Sequence, residues 1–131
     1  MALTIAPPAL AAMLDTAARS HPLECCGLLL GHGQHIASAQ PADNLAPDPA
    51  RHFEIDPGAL LAAHKAARGG GSQVLGYFHS HPNGLDRPSA TDAASAAHDG
   101  RIWAIVANGG ITVWRDGPSG FEPLFYDVVD G

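Results

Sequence analysis

His79-Ser80-His81-Pro82-Asn83-Gly84-Leu85-Asp86-Arg87-Pro88-Ser89-Ala90-Thr91-Asp92 directly follows a short apolar run, Gln73-Val74-Leu75-Gly76-Tyr77-Phe78. That run is rich in β-formers and predicts a buried strand. Alternation along a strand sends His79 and His81 to one face. Pro82-Asn83-Gly84 breaks the strand, and Pro88-Ser89 signals a helix start. Ser89 is then a natural N-cap, and Asp92 falls in the first helical turn. Two imidazoles at a strand end and a carboxylate at a helix start can converge on one point. Three N/O donors with a fourth position left open suit a catalytic zinc.

Each part of this stretch also has a plainer meaning. Ser89-Ala90-Thr91-Asp92 fits a capping box, with Asp92 in the place of the usual Glu or Gln. A His-x-His pair on a strand often means only two polar side chains on one face. The combination carries the metal reading: fixed spacing, an apolar strand before it and an alanine-rich helix after it.

His79-Ser80-His81, seven residues, Ser89, two residues and Asp92 resemble the signature of the JAMM (MPN-plus) zinc metalloprotease family. The family also places a glutamate before a Cys-Gly and an apolar strand, and Leu23-Glu24-Cys25-Cys26-Gly27-Leu28-Leu29-Leu30-Gly31 matches that too. The resemblance covers nearly the whole chain and implies one domain over residues 1–131. It implies one Zn2+ per chain on His79, His81 and Asp92, with water as fourth ligand. Glu24 would be the general base and Ser89 the stabiliser of the oxyanion. On residue chemistry alone, Glu24 reads more readily as a strand-end acid facing solvent, and the resemblance reverses that preference. Ser89 can serve both cap and oxyanion if it alternates, or if its hydroxyl accepts and donates at once.

The resemblance further implies hydrolysis of an amide or isopeptide bond after the C-terminal Gly-Gly of a ubiquitin-like or sulfur-carrier β-grasp protein, a deubiquitinase-like activity. Three rivals remain in view. A zinc peptidase acting on cell-wall or phage-tail peptides uses the same unit. A non-catalytic MPN scaffold keeps the fold but loses the ligands, which are all present here. A deaminase wants a Pro-Cys-x-x-Cys segment with a separate His-x-Glu, and the sequence lacks the Pro-Cys-x-x-Cys. No Gly-x-Ser-x-Gly elbow points to a serine nucleophile.

Composition bounds the rest. The 131 residues are 46% hydrophobic and 15% charged, enough to bury a core and far from disordered composition. A net charge of −6 argues against a nucleic-acid partner. No apolar run reaches the roughly 20 residues of a membrane span. The N-terminus lacks the basic region of a signal peptide, so a cytoplasmic location is expected. Cys25 and Cys26 are neighbours, which makes a disulfide between them unfavourable. At least one reads as a small core residue, and either could instead be a redox-sensitive thiol near the metal.

Patterning predicts a helix after Pro7-Pro8 with Leu10, Met13, Leu14 and Ala17 inward. A strand over 24–30 and a second over 34–39 form a hairpin, and 41–50 is loop by composition. A short strand over 52–55 precedes a helix capped by Asp56 and running to about Arg68. After the His79 strand come a helix from Ser89 to about His98, a strand over 101–107, a hairpin into 111–115 and a last strand over 121–129. The fold expected is mixed α/β (α+β), a sheet with about three helices. The resemblance adds that the sheet is curved and mixed, as in cytidine deaminases. Ser80 should face away from the site as a structural residue. His21, His32, His35, His64 and His98 read as surface or turn residues. His52 lies near enough to reach a cleft, but no spacing makes it a ligand.

Overall fold

The computed structural model describes residues 2–130. In chain order the elements are β1 (Leu3–Ile5), α1 (Pro7–Ser20), β2 (Cys26–His32), β3 (His35–Ala42), α2 (Pro57–Arg68), β4 (Gln73–Ser80), α3 (Ala90–Ser95), β5 (Ile102–Ala107), β6 (Gly110–Gly117), β7 (Gly120–Leu124) and β8 (Tyr126–Val128). All strands join one mixed sheet in the order β7-β6-β5-β4-β2-β3-β1-β8. The pairs β4–β5, β1–β3 and β1–β8 are parallel, and the others antiparallel.

The end of the chain shows how strongly this sheet curves. Leu124 pairs with β6 at one edge, while Tyr126 pairs with β1 at the other. Adjacent stretches of chain can serve opposite edges only if the sheet bends round to bring them together, and the Tyr126 hydroxyl donates to the Ile111 carbonyl of β6. The single strand expected over 121–129 is therefore two strands. Phe125 between them is 98% exposed, and Pro123 suits the open edge of β7, where no ladder donor is required. The three-residue strand β1 was not anticipated; it is too short to show a period.

Helix α1 packs mainly on β3, with further contacts to β4, β5 and β6. Its buried residues are Ala9 and Met13, with Leu10 and Ala17 packed beside them, whereas Leu14 lies at the rim. The core formed beneath it contains Ile5, Leu29, Ile36, Phe78, Ala104 and Val113. Helix α2 matches its predicted span: the Asp56 carboxylate accepts from the Gly58 amide and Pro57 opens the helix. It lies against β4 but buries no residue fully.

The central strands approach too closely for side chains at two positions. A Cβ on Gly76 would strike the Ile102 backbone, and one on Gly27 would strike the Phe78 ring and the Gln40 carbonyl. Gly76 thus lets β4 lie flat on β5, and Gly27 leaves room for the Phe78 ring.

Two boundaries differ from expectation. The strand expected to start at Glu24 starts at Cys26, because the Glu24 amide donates to the Pro49 carbonyl instead of to a neighbouring strand. The helix expected to reach His98 ends at Ser95. The buried Asp116 carboxylate takes the His98 amide, and His98 adopts φ 56°, so a tertiary hydrogen bond overrides the alanine-rich propensity. Residues 52–55 contribute only an isolated bridge, Asn44 to Ile55.

Candidate metal centre

The site forms where β4 ends. Cys26, at the start of β2, pairs with His79, and the Ser80 amide donates to the Cys25 carbonyl. Ser80 turns from the site, and its hydroxyl accepts from the Cys25 amide at 2.9 Å, the structural role expected of it. This antiparallel register carries Glu24 past the strand start and beside the histidines. The His81 amide donates to Val106, tying the residue after β4 to the end of β5. The connection to α3 is fastened from outside, with Asn108 donating to the Gly84 carbonyl and Thr112 to that of Asp86.

Alternation delivers both imidazoles to one point. His79 Nε2 and His81 Nε2 lie 3.0 Å apart, and Asp92 Oδ2 is 3.2 Å from the first and 3.1 Å from the second. A Glu24 oxygen and one nitrogen from each histidine also fall within 4.8 Å of one another. All four residues are buried. The capping box is present as well: the Ser89 hydroxyl accepts from the Asp92 amide, and Asp92 Oδ2 accepts from the Ser89 amide. The plain and the chemical readings of Asp92 therefore describe one side chain with both geometries.

The hydrogen-bond geometry calls for a proton or a metal ion at this point. His81 Nδ1 donates to the Leu85 carbonyl at 2.7 Å, which places the proton of the neutral ring on Nδ1. Its Nε2 then points a lone pair at a carboxylate oxygen 3.1 Å away. Two acceptors facing each other repel unless a proton or a metal ion lies between them. The donor set of two imidazoles and a carboxylate suits zinc.

The two carboxylates are pushed apart in acidity. For Asp92, burial disfavours the charged form, but hydrogen bonds with His79 and His81, the charge of His79 and the Ser89 amide outweigh it and hold the group below the usual carboxylate range. Glu24 lacks such partners; burial dominates and pushes it from 4.5 up to about 7, against the lowering influence of His81. Burial likewise lowers His79. In His81 burial is outweighed by Asp92, the Leu85 carbonyl and Glu24, and its pKa is raised. Two carboxylates whose surroundings push their acidities apart are suited to different chemical roles.

A cavity of about 410 Å³ opens onto this point, lined among others by Glu24, Arg51, His52, His81 and Ser89. His52 does reach the cleft, though it joins no donor cluster among the described residues. His98 is not helical but pairs with Asp116. Cys25 and Cys26 are both buried free thiols, and burial raises both. Two neighbours of the site went unread in the sequence. Phe53 stacks on the His79 ring at 4.3 Å, and Trp103 meets that ring edge-on at 5.7 Å. Only the aromatic character of the residues hinted at them, since they arrive from a loop and a distant strand.

The profile of prokaryotic homologues of the JAB domain matches residues 6–117, and the chain belongs to that family. The desampylase of Haloferax volcanii is 33% identical over 98 residues, covering 73% of this chain and 70% of that protein. The tail tip assembly protein K of Escherichia phage N15 is 31% identical over 86% of this chain, which spans 44% of that protein. A probable TtuB-protein conjugate cleaving protease of Thermus thermophilus is 37% identical over 60% of this chain and 52% of its own length. Among solved structures, protein DSY2949 of Desulfitobacterium hafniense superposes with a TM-score of 0.85 at 29% identity, over 98% of this chain and 94% of that one. A structure described as a JAMM metalloprotease-like zinc site in the proteasome and signalosome shares the fold, with a TM-score of 0.65 at 19% identity over 99% of this chain and 100% of that one. The curved mixed α+β architecture expected from the resemblance is thus that of the JAB/MPN fold. Among the described residues no helix is long and apolar enough to cross a membrane.

Proposed function

We propose that this chain is a single-domain, cytoplasmic zinc peptidase or isopeptidase that hydrolyses the amide bond after the C-terminal Gly-Gly of a ubiquitin-like or sulfur-carrier β-grasp protein. The observation that carries it is the convergence of His79 Nε2, His81 Nε2 and Asp92 Oδ2 within 3.2 Å, with Glu24 beside them on an open cavity. In this reading His79, His81 and Asp92 hold one zinc. Zinc supplies Lewis acidity that brings the pKa of a bound water from 15.7 to about 7.

Glu24 takes a proton from the attacking water and returns it to the leaving amine. A carboxylate raised toward neutrality is suited to both transfers. The Ser89 hydroxyl spends a lone pair on the Asp92 amide, so its proton stays free to donate to the oxyanion. An extended glycine tail brings no side chain into the cleft. The names of the Haloferax and Thermus relatives support a conjugate of a small protein as substrate.

A second reading, a peptidase for wall or phage-tail peptides, draws support from the likeness to the phage N15 tail tip protein. The two separate in one experiment: zinc-loaded protein is offered a β-grasp carrier extended past Gly-Gly and, in parallel, peptidoglycan stem peptides. Chelator-sensitive loss of the carrier extension alone is expected. Cleavage of the wall peptides alone would transfer the assignment to the second reading.

A further inference from the structure

We propose that Asn44 is a positioning residue that sets Glu24 against the two histidines. This rests on the reading of Glu24 as the base. Glu24 lies outside β2, so the sheet does not hold it. Both of its backbone groups instead bond to the loop between β3 and α2: its amide donates to Pro49 at 2.7 Å, and its carbonyl accepts from Asn44 Nδ2 at 3.0 Å. The second Nδ2 proton goes to the His52 carbonyl, also at 3.0 Å. Asn44 Oδ1 accepts from the amides of Ala46 and Glu54, each at 3.0 Å. Two donors and two acceptor lone pairs are the full capacity of a carboxamide, and all four are used.

One side chain thus joins the base to both limbs of a loop that carries His52 into the cleft and Phe53 onto His79. None of the buried apolar core residues lies in 43–56, so this loop owes its shape to polar bonds more than to packing. No other residue type of similar size supplies two donors and two acceptors there. Aspartate keeps the acceptors for Ala46 and Glu54 but turns an oxygen toward the Glu24 and His52 carbonyls. Alanine removes both sides.

The test compares zinc-loaded wild type, Asn44→Ala and Asn44→Asp by amide hydrogen exchange, zinc retention against a chelator and steady-state cleavage of an extended carrier. In Asn44→Ala the amides of Glu24, Ala46 and Glu54 should exchange about tenfold faster, with Leu28 and Leu29 of β2 unchanged. Zinc retention should stay within about tenfold of wild type in both variants, because His79, His81 and Asp92 are untouched and only the Phe53 ring on His79 can loosen. Turnover should fall about 100-fold in kcat, with KM within about threefold of wild type. Asn44→Asp should keep Ala46 and Glu54 protected yet lose kcat as the alanine variant does. Rescue of kcat by aspartate, or unchanged Glu24 exchange in the alanine variant, would overturn the positioning role. Failure of the wild type to cleave any carrier would overturn the proposed function instead, and Glu24 exchange would then decide the positioning by itself.

Discussion

Glu24→Gln should stabilise the metal-free protein while removing its chemistry. The substitution keeps shape and deletes only the charge that burial disfavours. With the pKa raised from 4.5 to about 7, the native state holds a proton that the unfolded state has released. Stability from this group is therefore full below about pH 4.5, falls as pH rises, and is lost above about 7. At 1.36 kcal/mol per unit the ceiling is about 3 kcal/mol. The cavity beside Glu24 admits solvent, which brings the expected value to about 1–3 kcal/mol. For a chain of this length that is about 4–12 °C in Tm. The assay is thermal and urea unfolding of chelator-treated wild type and variant at several pH values from 4 to 8. The two should coincide near pH 4 and diverge to the full difference by pH 8. With zinc bound the difference should shrink, since a cation favours the carboxylate. A difference independent of pH, or none at pH 8, would refute burial as the cause of the shift.

Other outcomes follow from the same geometry. Asp92→Ala should lose zinc by at least about 100-fold in affinity, measured by chelator competition, and about 0.5–2 kcal/mol of stability with the capping box; full zinc occupancy would leave Asp92 a cap alone. Ser89→Gly removes the hydroxyl but keeps a tolerable N-cap, so kcat should drop about 100-fold or more with Tm within a few degrees. Phe53→Leu fills the space without a ring to stack on His79 and should weaken zinc about tenfold, whereas Phe53→Tyr should not.

Much of the site was legible because it is written in short-range spacing. His79 and His81 share a face by strand alternation, and Ser89-Ala90-Thr91-Asp92 is a local cap, so both survive any tertiary detail. Glu24 was legible only through its family resemblance. Its neighbourhood depends on the register of Cys26 against His79 and on the loop bonds of Pro49 and Asn44, none of which leaves a periodic trace. The same limit applies to Phe53, a ring supplied from a segment that reads as irregular. The ends of α3 and of the last strand lie away from where local pattern places them for a related reason. Asp116 captures the His98 amide, and the curl of the sheet divides residues 120–128 between two edges. Local propensity contains neither partner.

The proposed function requires that a zinc centre with Glu24 as its base cleave after Gly-Gly. It is tested most directly by following the intact mass of an extended β-grasp carrier incubated with wild type and with Glu24→Gln, each carrying one measured zinc per chain. Loss of the extension after the second glycine is expected with wild type, abolished by chelator, and no loss with the loaded variant. Equal cleavage by both loaded proteins, or none by wild type at full zinc occupancy, would contradict it.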